Sequence, residues 1–470
     1  MSKVTFEEVT RMSLAQLRAA YADGRCHPLD VMEMTLDQVF EVNPQINALY
    51  DLQPEAALKA AQQSTERYHR GIPCGPLDGM PVTLKDSVHA EGMRWHHGSK
   101  AHGDGIVGVR DAPPTQRLKA AGAIIIGKCT MPDYGLSASG VSSFHGIVRN
   151  PWGLDWNTGG SSAGAGASLA AGIGVMSVGT DIAGSVRLPA AHCGLAAIKP
   201  TQGMVAHTPG SDMRSPGPMS RQVADLEPLL RILGGAHPDD RFSVPVTEPD
   251  VAGHLRDLRV AAFADFGFGP PVEPAVLSVF ARAEAAMAVV VDQIFCPSTR
   301  YSFDAYLPID RSLQLRGWRE YSAAAPELRE RTPRQLIDWF IEARDWSADD
   351  VGAVERGLAK GVEQSASLFE GVDFLLTPVM PIVNFGATEL GIDRLMPLRH
   401  CTFTAPFNQS GHPAVSLCAG HDARGLPVGV QIVGRRFDDI RLLRLATALE
   451  QVLWPDGRPE HYWPLQPRQA

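Results

Sequence analysis

From Gly75 to about Pro218 the chain sets short apolar runs between segments crowded with Gly, Ser and Pro, and nothing else in it constrains the fold so tightly. Such runs suit closely packed strands joined by tight turns. Asp111 with Pro113 and Pro114 opens a helix through Leu118, Gly122 stops it, and AIIIG follows as a short buried strand. Ser161–Gly172 reads as an Ala/Gly/Ser helix able to pack very close to a neighbour, and VMSVGTD as the next strand. This alternation predicts an α/β sheet covered by helices. Before Gly75 the chain reads as helical. Ser13 caps LAQLRAAYADG, Pro28 starts PLDVMEMTLDQVFEV at the first helical position, and an Ala-rich helix runs from Pro54 to about His69. After Pro218, residues 237–250 read as a connecting loop, LRVAAFADF as a strand and PAVLSVFARAEAAMAVVVDQ as a helix. Residues 302–370 read as mainly helical, and VDFLLTPVMP and LPVGVQIVG as closing strand and turn material.

A chain of 470 residues buries roughly three quarters of its extended surface, so its core needs no disulfide or metal. Lys+Arg 43 against Asp+Glu 52 leaves a net charge of −9, with no basic run. That argues against a broad positive face, and the expectation is no direct nucleic-acid partner. The first twenty residues mix charges and show no apolar signal core, and no uncharged apolar stretch approaches bilayer length. A soluble, cytoplasmic protein without a membrane partner is expected. The seven cysteines are scattered and form no C-x-x-C, which fits reduced thiols better than a disulfide framework or a structural zinc site.

Three motif matches fail on context. Gly122–Cys129 fits G-x-x-x-x-G-K, but Cys129 stands where the magnesium-binding hydroxyl belongs and the interior is a buried strand. Gly160–Gly164 fits the G-x-S-x-G elbow around Ser162, yet a loop rather than a hydrophobic strand precedes it. His96, His97 and His102 lie close together without a zinc-ligand spacing, so no metal site is expected.

What remains is stronger. Gly159-Gly160-Ser161-Ser162-Ala163-Gly164 precedes Gly179-Thr180-Asp181-Ile182-Ala183-Gly184-Ser185-Val186-Arg187, and both are small-residue loops flanked by regular structure. Glycines for turns and serines for caps would account for either one alone. Together they offer serine hydroxyls beside backbone N–H groups, the components of an acyl-transfer site. Lys85 ends the apolar run PVTL and is either a snorkelling residue or a desolvated base. No histidine stands in a triad motif, so the base must be something else.

These segments, with GPLDGMPVTLKD, AAGAIIIGKCTMPDYG, RNPWG, GPMSRQVADL and, near the C-terminus, LLTPVMP, TAPFNQSGHPAVSL and GLPVGVQIVG, resemble the amidase signature family. The resemblance implies a single large α/β domain over residues 1–470, with a mixed, mostly parallel twisted sheet covered by helices on both faces. Its parts would be an N-terminal helical part (1–70), a signature core (71–230), a variable helical region (231–370) and a C-terminal return to the sheet (371–470). It implies carboxamide hydrolysis by a Ser–cisSer–Lys triad without metal or organic cofactor. Carried over position by position, Ser185 is the nucleophile, Ser161 the serine after a cis peptide and Lys85 the base. The N–H groups of Ile182, Ala183, Gly184 and Ser185 would form the oxyanion hole. Tyr134–Ser137 would line the acyl pocket, with Gly135 and Ser137 as substrate contacts, and Asp181 and Arg187 would support the nucleophile loop. Ala183 and Ala163 stand where glycine is common; a positive φ at Ala183 would add strain.

The expected function is a free-standing amidase that takes a small organic amide to a carboxylate plus ammonia or an amine. The alternative is the glutamine-hydrolysing component of a tRNA-dependent amidotransferase complex, which needs a cation for the amino-acid carboxylate; Arg311, Arg316 and Arg319 are candidates. A non-catalytic scaffold is disfavoured by the joint presence of Lys85, Ser161 and Ser185. Specificity is expected from residues 90–105, 134–144 and 302–400. A homodimer is left open.

Overall fold

A computed structural model describes residues 4–246, 253–297 and 300–457. Eleven strands form one sheet: β1 Leu49–Tyr50, β2 Pro81–Lys85, β3 Ile124–Cys129, β4 Met176–Asp181, β5 Ala196–Lys199, β6 Ser215–Ser220, β7 Arg259–Ala262, β8 Gln293–Phe295, β9 Phe374–Pro378, β10 Ala414–His421 and β11 Pro427–Gly434. Their order is β1-β3-β2-β4-β6-β5-β10-β11-β9-β7-β8. The sheet is mixed. β3, β2 and β4 pair in parallel at one end and β9, β7 and β8 at the other; the strands between them pair antiparallel.

Strand residues alternate between the two faces, and the cores follow that alternation. Ala196 and Ile198 of β5 join a core with the helix Leu226–Leu233, whereas Ala197 joins another with the helix Ala163–Ala170. Across the sheet, Phe374 and Leu376 of β9 face one core and Leu375 the other. Helices therefore cover both faces, and the strands read as continuous apolar runs because neither face meets water.

The local chemistry accounts for the helix ends. Ser13 and Gln16 form a capping box ahead of Leu14–Ala22, and Pro28 and Pro54 open Pro28–Ile46 and Pro54–His69. The first of these passes the expected end at Val42 and stops only at Asn47, whose left-handed φ of 53° closes it. The close-packing helix is Ala163–Ala170; a Cβ at Gly164 would overlap the Ala48 carbonyl and the Thr130 amide. The expected loop 237–250 contains no helix or strand through residue 246, and its remainder lies outside the described residues. Among the described residues no helix is long and apolar enough to cross a membrane.

Candidate active site

Lys85 ends β2, where the sheet delivers a lysine into the interior with only 1% of its surface exposed. Its ammonium donates to Ser161 Oγ at 2.7 Å, Thr180 Oγ1 at 3.1 Å and the Thr180 carbonyl at 3.3 Å. Burial brings this ammonium down to about 7; Asp181 opposes the shift, while Arg214 and Arg316 add to it. The adjacent Asp86 is turned elsewhere. It accepts from Tyr50 Oη at 2.7 Å and from the His96 and Gly98 amides at 2.9 and 2.8 Å. Burial alone would raise the Asp86 carboxyl, but His145, Lys128 and Tyr50 together hold it well below the usual carboxylate range.

Ser161 follows a cis peptide from Gly160. A side chain at Gly160 would collide with the backbone of Ala138 and Ser139, so this bend is built into the packing. The next amide, Ser162 N–H, donates to the Ser185 carbonyl at 3.2 Å and ties the two serine loops together. Ser162 itself turns its hydroxyl toward the Thr180 carbonyl at 3.4 Å and starts a helix.

The loop that presents Ser185 is fixed by Asp181. Its carboxylate takes both ends of the Arg187 guanidinium, at 2.9 and 3.0 Å, and the Asn408 amide at 2.8 Å. It also accepts the Gly184 and Val186 N–H groups at 2.7 and 3.2 Å. Burial would raise this carboxyl, yet Arg187 and Asn408 outweigh it and keep the group ionised. The Gly184 bond revises the expected oxyanion hole, because that N–H is already spent on a carboxylate. No intramolecular acceptor meets the N–H groups of Ile182, Ala183 and Ser185 among the described residues. Ala183 carries no positive φ, so its Cβ adds no strain; the left-handed residue is Gly184, at φ 124°.

A narrow cavity is lined by Lys85, Ser161 and Ser185 with Thr180, Ile182, Tyr134 and Gly135. His97, Arg214 and Arg316 also line it, with Ser87 and Met131. Gly135 approaches Ser161, a Cβ there falling 3.4 Å from its Oγ. Ser137 is not brought to the cavity: its hydroxyl is shared with Ser139 at 2.7 Å and with the Leu390 carbonyl at 3.2 Å. Of the three candidate arginines only Arg316 reaches the cavity; Arg311 lies over the Trp346 ring and Arg319 is exposed. Arg214 was not anticipated by any motif. Of the three histidines, His96 departs to stack on Phe144 at 3.7 Å between centroids, while His97 faces Glu320 at 3.6 Å and stays 5.6 Å from the His102 ring.

Comparison with known proteins adds to this geometry. The Amidase family model matches residues 30–443. The chain is 32% identical to the A component of glutamyl-tRNA(Gln) amidotransferase from Chloroflexus aurantiacus, covering 96% of this chain and 99% of that one. It is 33% identical to the component of the same name from Geobacter metallireducens, over 88% and 92%. In structure it resembles 6-aminohexanoate cyclic dimer hydrolase, with a TM-score of 0.86, 26% identity and coverage of 98% and 100%. The amidotransferase relatives correct the expectation of no direct nucleic-acid partner, since their name ties them to a tRNA. The charge of −9 argued only against a broad positive face on this chain. With the model spanning most of its length, the chain belongs to the amidase signature family, enzymes that hydrolyse the carbon–nitrogen bond of amides.

Proposed function

We propose that this chain is the glutamine-hydrolysing component of a tRNA-dependent amidotransferase, working through an acyl-enzyme on Ser185. The observation that carries the chemistry is the 2.7 Å bond from Lys85 to Ser161 on a cavity that Ser185 also lines. A serine hydroxyl is a poor nucleophile unless a base takes its proton as it attacks. Lys85, lowered to about 7, holds a substantial neutral fraction at physiological pH and has Ser161 as a relay. Ser185 Oγ attacks the amide carbon while its proton passes through Ser161 to Lys85. The oxyanion meets the N–H groups of Ile182, Ala183 and Ser185, one such donor contributing about 3–4 kcal/mol. The C–N bond breaks as the proton returns through Ser161 to the departing nitrogen. Water then resolves the ester by the same relay, releasing the carboxylate and restoring Ser185. No metal or organic cofactor enters any of these steps.

Sequence relatives support the amidotransferase reading, and Arg316 in the cavity supplies the cation that it requires. A free-standing cytoplasmic amidase, one domain over residues 1–470, is the second reading, favoured by the full-length likeness to a cyclic dimer hydrolase. Ammonia release by the purified chain separates them, with Ser185→Ala as the blank. Turnover of glutamine, strengthened when copurifying partner chains are retained, sustains the first reading; turnover of simple amides without glutamine transfers the case to the second.

A further inference from the structure

We infer that Arg214 and Arg316 form a carboxylate subsite, so that the amide this enzyme hydrolyses carries a second, anionic carboxyl group on its acyl side. Both guanidinium groups line the cavity that holds Lys85, Ser161 and Ser185. They reach it from distant parts of the chain, Arg214 from the loop before β6 and Arg316 from the helix Tyr306–Ala323.

Among the described residues each keeps a buried N–H without an acceptor, Nε of Arg214 and Nη1 of Arg316. A buried donor left unsatisfied is costly, and charged donors most of all. The acceptors that are present do not use these atoms. Arg214 donates through Nη2 to the Pro209 carbonyl at 2.6 Å and has no ion-pair partner among the described residues. Arg316 donates through Nη2 to the Tyr134 carbonyl at 3.3 Å and to Glu320 at 3.4 Å. Glu320 is itself divided between Arg316 and His97, which it faces at 3.6 Å. Two like charges on one small cavity repel, and one carboxylate between them removes that repulsion while accepting both free donors. A neutral acyl chain would do neither.

The position of the pair also fits the chemistry. As a positive neighbour, each arginine favours the neutral form of Lys85 before substrate arrives.

This inference rests on the Ser185 reading for catalysis but not for binding, and the test separates the two. The full-length protein is assayed with the monoamides of malonic, succinic, glutaric and adipic acids, with glutamine, and with neutral amides in which a methyl group replaces the carboxylate. Wild type should prefer one anionic length over its neutral counterpart by at least about 30-fold in kcat/KM, the loss that accompanies removal of one partner of a buried charge pair. That ratio should collapse in Arg214→Met and in Arg316→Met, with Arg214→Lys recovering part of it. Equal use of anionic and neutral amides by wild type would overturn the subsite without touching the triad. If no amide is turned over, calorimetric titration with glutarate and succinate reads the subsite alone. Binding that is lost in Arg214→Met sustains it while the Ser185 mechanism falls, and absence of binding sinks it.

Discussion

Two strand ends bury a lysine in the same way and do different things with it. Lys85 at the end of β2 and Lys199 at the end of β5 are both fully enclosed, and burial brings both ammonium groups down to about 7. Lys199 donates to the Pro200 carbonyl at 2.8 Å, sits in the field of Arg187, Asp181 and Asp439, and takes no part in lining the cavity of Ser185. Lys85 meets a serine hydroxyl and borders open space that a second serine shares. A depressed lysine is thus a consequence of burial and carries no function by itself. What separates the two is the serine hydroxyl that Lys85 meets, on a cavity that a second serine lines.

The largest effect should come from Ser185→Ala, which removes one oxygen from a loop that Asp181 holds in place. Loss of a nucleophile that acts as part of a unit costs roughly 10⁶ in kcat. Single-turnover assays with ammonia detection check this, and a fluorophosphonate adduct should map to Ser185. An adduct on Ser162 would reverse the assignment.

Lys85→Arg comes next and breaks the comparison most directly. Arginine keeps the charge but cannot give up its proton, so it should be as inactive as Lys85→Ala, a loss of about 10²–10⁴. Lys199→Met should leave kcat per folded molecule unchanged. Near-wild-type acylation by Lys85→Arg would show that the lysine supplies charge rather than proton transfer.

A smaller effect sharpens the same point through pH. In the proposed mechanism the neutral amine is the active form, so wild-type activity should rise with pH along a limb centred near 7. Arg214 lowers the Lys85 value, so Arg214→Met must raise it and move the limb to higher pH. Rates from about pH 6 to pH 10 with a neutral amide read the shift; a limb that stays in place would remove Arg214 from the lysine's surroundings.

Much of this was legible in the sequence because it is local. Pro28, Ser13 and Gly122 mark helix ends through their own backbone chemistry, and the GGSSAG and GTDIAGS loops carry their serines within a few residues. The arginine pair was not legible. Arg214 sits in an irregular loop with no periodicity, and Arg316 lies on a helix beside Arg311 and Arg319, which share its composition but not its direction. Only the tertiary fold brings Arg214 and Arg316 to one cavity. The same holds for Gly184, whose N–H is diverted by an aspartate three residues earlier, and for Ser137, which the Ser139 hydroxyl and the Leu390 carbonyl turn from the cavity wall.

The smallest expected effect concerns what the two lysines share. Each has an ordinary value of 10.5, lowered in the fold to about 7. Below about pH 7 folded and unfolded chains both hold the proton, so the full penalty of enclosing the charge is present. Between about 7 and 10.5 the unfolded chain holds a proton that the folded one has released, so stability rises with pH, by at most about 1.4 kcal/mol per unit for each lysine. Above 10.5 neither holds it and the dependence ends. Methionine at either position removes one such contribution, so the gain in stability over wild type should be largest near pH 7 and shrink toward pH 10. Urea unfolding of Lys85→Met and Lys199→Met at about pH 7, 8.5 and 10 should give parallel trends, although only the first variant loses activity. A flat difference for Lys199→Met would mean that its ammonium stays charged in the fold, held by the Pro200 carbonyl and Asp439, and the likeness between the two strand ends would then stop at their burial.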